Sequence, residues 1–173
     1  MDYRAHLYRP LSKHFVDQLV ADVFEMPQNF EIVYRLAFDE NLTVAWRAAW
    51  ACQKISERHP EWFSEEQFRE LTALAISTPH SGLQRGCLST LCNVKLPSSI
   101  PVELINACFD WMISTQSAIA VQAKSMRMLL NICRIIPEFK AELRACLENI
   151  DYECYSAGFQ STRKNVLKEL NRK

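Results

Sequence analysis

Asn41-Leu42-Thr43-Val44-Ala45-Trp46-Arg47-Ala48-Ala49-Trp50-Ala51-Cys52-Gln53-Lys54-Ile55 decides how this chain is read. The stretch makes a helix with a small, apolar face built on Val44, Ala48, Cys52 and Ile55, spaced at three and four residues. Its other face is aromatic and basic. Trp46 and Trp50 stand one turn apart, so both indoles share that face.

The same pattern returns. Val44, Leu83, Val121 and Phe159 recur at 39, 38 and 38 residues, and apolar residues follow each at eight and eleven on: Cys52 and Ile55, Leu91 and Val94, Leu129 and Ile132, Leu167 and Leu170. In the segments that precede them, Val33, Leu71, Phe109 and Leu147 recur every 38 residues, and so do Leu36, Leu74, Met112 and Ile150. One two-helix unit cannot cover its own apolar face, so units must stack at a fixed offset. No stretch of useful length alternates as a strand does, and the fold class is all-α.

The punctuation fits this reading. Residues 1–11 read as an extended arm, because Pro10 disfavours helix at Arg9. Ser12 is positioned to cap a first helix, 12–26, with Phe15, Val16, Leu19, Val20, Val23 and Phe24 on its apolar face. Pro27 ends it and opens a helix over 28–38. Asn41 caps the next, and Ser64 with Gln67 has the spacing of a capping box. Asp151 is expected to cap the last helix. The domain plan is an arm (1–11) and one repeat domain (12–173): the capping helix, then repeats at about 27–60, 61–98, 99–136 and 137–173.

Val44-Ala45-x-x-Ala48-Ala49-x-Ala51-Cys52-x-x-Ile55 resembles the second-helix pattern of HEAT-repeat proteins, over about residues 27–173. The resemblance implies a right-handed α–α superhelix of four HEAT-like pairs, second helices lining its concave side. One departure stands out. The basic residue that often follows the Val is Ala45 in the first repeat and Gln84, Gln122 and Gln160 in the others, a set able to hydrogen-bond along a stack.

Totals bound the function. Twenty basic and twenty acidic residues cancel, so only the distribution of charge can point to a partner. The start of the chain lacks an apolar secretory core, and no apolar run approaches the roughly 20 residues that span a bilayer. A soluble, cytoplasmic protein is expected. Seven cysteines, odd in number and without a C-x-x-C pair, read as small buried hydrophobes and not as a metal site. No metal or cofactor is expected.

Sorted by helix, the charges separate. The second-helix segments (42–59, 81–96, 117–136 and 152–173) hold thirteen basic residues and three acidic, a net +10. The rest of the chain past residue 11 carries five basic and sixteen acidic, a net −11. Aligned by repeat, outward positions form columns: Trp46, Arg85, Ala123 and Ser161; Arg47, Gly86, Lys124 and Thr162; Trp50, Ser89, Arg127 and Asn165; Lys54, Asn93, Asn131 and Glu169. The candidate binding residues are Trp46, Arg47, Trp50, Lys54, Gln84, Arg85, Gln122, Lys124 and Arg127. Aromatics among cations suit stacking and phosphate contact, and Trp and Arg equally anchor protein contacts. The indoles have a second use open to them, as packing against the first helix or the N-terminal segment.

Catalysis has little support. His6, His14, His59 and His80 are scattered, no Ser or Cys has a nucleophile context, and there is no glycine-rich phosphate loop. HEAT-like alkylpurine DNA glycosylases resemble the chain in architecture and place a carboxylate among such aromatics, and Glu57 is the second-helix carboxylate close to Trp50 in sequence. The expected function is a non-enzymatic module that binds an acidic protein or peptide, with nucleic acid on the same face, or the glycosylase, as alternatives.

Overall fold

The computed structural model describes residues 2–9 and 13–172. All regular structure among them is helical, in two compact units, Met1–Lys95 and Leu96–Lys173. The division falls where the second repeat of the sequence pattern gives way to the third. No helix of the described residues is long and apolar enough to cross a membrane.

The first unit holds α1 (Tyr3–Tyr8), α2 (Lys13–Glu25), α3 (Phe30–Arg35), α4 (Leu42–Ser56), α5 (Glu65–Ser77) and α6 (Ser81–Asn93). Two hairpins, α3/α4 and α5/α6, lie side by side, with α4 packed on α6 and α2 closing the other side of α4. Pro27–Asn29 and Leu36–Phe38 are 3₁₀ turns that tighten the two ends of α3. Asn41 caps α4 as expected, accepting from the amides of Thr43 and Val44. Ser64 and Gln67 form the anticipated capping box on α5, each side chain holding the other residue's amide. Ser12, the expected cap of α2, lies outside the described residues, as does Pro10.

Within the segment expected to be an extended arm, residues 3–8 are helical. Asp2 caps a helical turn by accepting from the amide of Ala5 at 3.0 Å, and Tyr3, His6 and Leu7, at three- and four-residue spacing, are buried. The Tyr3 hydroxyl donates to Asp22, Arg4 pairs with Asp39 at 2.6 Å, and α1 packs on α2 and α4. Arg9 does leave the helix (φ −59°, ψ 165°), as the residue before a proline should.

The second unit holds α7 (Val102–Ile113), α8 (Ile119–Ile135), α9 (Phe139–Asn149) and α10 (Ala157–Leu170), again as two hairpins, with α8 packed on α10. Asp151 does not cap the last helix. Tyr152–Cys154 forms a 3₁₀ turn, and the cap passes to Ser156, whose hydroxyl accepts from the Phe159 amide at 3.2 Å.

The repeat register read from spacing is the register of the core. Val44, Leu83, Val121 and Phe159 are buried, as are Cys52, Leu91, Leu129, Ile55, Val94, Ile132 and Leu170; Leu167 alone in this set is half-buried. At about 25 cal/mol per Å2 of apolar surface, each such side chain contributes about 1.5–3 kcal/mol. The cysteines carry thiols, not disulfides. Burial pushes the Cys52 thiol up and holds Cys87 at about 12, which keeps both protonated.

Candidate functional site

Helix α4 presents its aromatic-basic side between α1, α2 and α6. Trp46 and Trp50 are both half-buried, with ring centroids 6.3 Å apart and planes inclined by only 10°. The His80 imidazole extends the stack, 6.2 Å from Trp46 at 29°. Sequence reasoning missed His80, whose one signal was its place in the turn before Ser81. There it also caps α6, its Nδ1 accepting from the Leu83 amide at 3.1 Å.

Close packing sets the register of α4 against α6. A Cβ placed on Gly86 would meet the Ala49 Cβ at 2.8 Å, and one on Gly82 would lie 3.9 Å from the Trp46 ring. Successive contacts advance along both helices together, so α4 and α6 run in the same direction. Arg85 shares an edge of α6 with Gly82, three residues away. It is half-buried and forms no ion pair among the described residues.

Other candidate cations are engaged. Arg47 donates to the carbonyls of Leu7, at 2.7 Å, and Arg9, which neutralises the negative end of α1. Burial draws its pKa down from the ordinary value. Lys54 pairs with Asp17 of α2 at 2.9 Å and lies 5.8 Å from the Trp50 ring. In the second unit Arg127 and Arg134 converge on Glu169 of α10, at 3.9 and 2.7 Å, and Lys124 is half-buried. Four of the second-helix cations are thus met locally, Arg47 by carbonyls and Lys54, Arg127 and Arg134 by carboxylates.

Two of the columns close at α6, where Gly86 and Ser89 are buried. The glutamines do not run along a stack. Gln84 donates to the Ala75 carbonyl at 3.2 Å, Gln122 to Ser114 at 2.8 Å and Gln160 to Tyr155 at 3.0 Å. Each fastens the turn that leads into its own helix, so Gln84 and Gln122 serve the hairpins and not an outward face.

Glu57 is exposed and accepts from Gln53 at 3.2 Å. With Asp17, Phe24, Lys54 and Arg58 it borders a cavity of about 400 Å3 between α2 and α4. Lys54 holds the Asp17 carboxyl below its usual range. Lys54, the cation next to the Trp50 ring, is therefore bonded to Asp17 and not to Glu57. Among the described residues no group of three His, Cys, Asp or Glu side chains could hold a metal ion.

Comparison with known families matches the HEAT repeat domain over residues 3–170. Curated proteins and solved structures give no match. HEAT repeats generally mediate protein interactions. Paired helices at a period near 38, a core in the register of that period, and a match that spans nearly the whole chain agree: this protein belongs to the HEAT repeat family.

Proposed function

We propose that the chain is a non-enzymatic interaction module whose first unit binds an acidic segment of a protein partner on the Trp46–Trp50 face, beside Arg85. The observation that carries this is the parallel, half-buried indole pair, extended by His80, with Arg85, which has no ion pair among the described residues, one turn along α6 from the Gly82 that meets Trp46. Two rigid aromatic faces offer large contact area at little entropic cost. An unpaired, half-buried arginine favours a carboxylate able to take both arms of its fork.

The test is a titration of the full chain with short Asp/Glu-rich peptides that carry an apolar anchor, followed by tryptophan emission. A saturable shift is expected. Trp50→Ala should weaken binding by about 2 kcal/mol or more, roughly thirtyfold. Arg85→Glu should abolish it, and added salt should weaken it. A shift indifferent to Arg85→Glu would sink the acidic-partner reading. Retardation of mixed-sequence DNA at low salt, with a steep loss as salt rises, would replace it with nucleic acid.

A further inference from the structure

The second unit carries a different surface that no part of this reading uses. A cavity of about 560 Å3 lies along α10, lined by Tyr152, Gln160, Ser161, Arg163, Lys164 and Leu167. No acidic side chain lines it. Arg163 is held in one pose. Its Nε donates to the Leu147 carbonyl at 2.5 Å, and its guanidinium carbon lies 4.3 Å from the centre of the Tyr152 ring.

That pose leaves the two terminal amino groups of the guanidinium without a carboxylate among the described residues. The contrast within the unit is sharp: Arg127 and Arg134 both reach Glu169, whereas Arg163 has no ion pair. Lys164 and Ser161 are exposed next to it, and Lys164 too has no ion pair among the described residues. Leu167 and the Tyr152 ring supply apolar surface.

We infer that this cavity is a binding site for a phosphate monoester, carried by a phosphorylated side chain of a protein partner. The chemistry follows from the donors. A planar fork fixed at its Nε, a mobile ammonium and a hydroxyl together match three acceptor oxygens bearing nearly two charges. A carboxylate offers fewer oxygens and half the charge. A nucleic-acid strand would call for a track of successive stacking platforms, and the site has one ring, already covered on one face by Arg163. One compact cavity suits one phosphorylated residue.

Amide and arginine side-chain spectra of the isotopically labelled full chain, titrated with phenyl phosphate, test this directly. Saturable shifts are expected at residues 160–164 and at the Arg163 Nε, with benzoate binding about tenfold more weakly. Lys164→Glu, at an exposed position, should weaken phenyl phosphate about tenfold without unfolding the chain. Arg163→Lys, which keeps the charge but loses the fork, should weaken it as well; if that variant is unstable, Lys164→Glu carries the test. Trp50→Ala should leave the titration unchanged, so failure here and failure of the first-unit reading are separable. Absent shifts, equal shifts with benzoate, or indifference to Lys164→Glu would overturn the inference. So would an oligothymidylate that saturates these resonances where phenyl phosphate does not, since that result assigns the site to nucleic acid.

Discussion

Gly86 lies against Ala49 with no room for a methyl group: a Cβ there would stand 2.8 Å from the Ala49 Cβ and 3.1 Å from its carbonyl carbon. Gly158, in the first turn of α10, would bring a Cβ to 3.2 Å from the Cγ2 of Ile119 and 3.9 Å from the Ser156 hydroxyl, side-chain atoms and not backbone, and Ile119 is itself exposed. Gly→Ala gains up to about 1 kcal/mol of helix propensity, but forcing a methyl against backbone costs about 1–3 kcal/mol. The two substitutions should differ in sign. Gly86→Ala should lower the denaturation midpoint and Gly158→Ala should raise it slightly, as chemical denaturation of each variant will show.

Arg47 should prove a structural clasp before it proves a ligand contact. Arg47→Ala removes two charged hydrogen bonds to the end of α1, at about 1.5–3 kcal/mol for each such bond. Amide exchange in residues 3–8 should accelerate sharply while α5 and α6 keep their protection. Equal acceleration throughout the unit would mean that α1 is not separately held by this residue.

Stability should fall at both extremes of pH, for identifiable reasons. Hydrogen bonds from Tyr34 and then Arg35 draw the Glu70 carboxyl below its ordinary 4.5. Its contribution is complete above 4.5 and disappears as pH falls through the depressed value, and Tyr34→Phe should reduce that acid dependence. Tyr3 behaves oppositely. Burial and then Asp22 push its hydroxyl from 10 up to about 12, so the contribution is complete below 10 and is lost as pH rises to 12. Tyr34, raised further by burial and Glu70, adds to the same alkaline limb. Tyr3→Phe should flatten part of the alkaline loss in a pH series of melting temperatures.

The start of α10 offers a direct comparison of two caps. Ser156→Ala should cost about 1 kcal/mol, because its hydroxyl holds the Phe159 amide. Asp151→Ala should change stability much less, since Asp151 makes no side-chain cap bond to the 3₁₀ turn that follows it.

What the chain disclosed in advance was whatever depends on spacing along it. Burial of Val44, Leu83, Val121 and Phe159 was legible because a helix converts a period into a face. The caps at Asn41 and Ser64 were legible because donor and acceptor lie within three residues of each other. The misreadings concern partners chosen in three dimensions. Arg47 reaches across forty residues to Leu7, Lys54 to Asp17, and Glu169 gathers Arg127 and Arg134. Counting charges by helix could not register that these four positive side chains had local answers while Arg85 and Arg163 had no ion pair among the described residues. Residues 3–8 misled for another reason: a proline close behind argued for extension, while the cap at Asp2 and the buried Tyr3, His6 and Leu7 outweighed it.

The glutamine that binds a carbonyl within its own hairpin has an evolutionary consequence. Each pair from the second onward carries its own private fastening, independent of whichever pair lies beside it. A gene that duplicated or deleted such a segment would transmit the clasp intact, and only the apolar seam between neighbours would have to be re-matched.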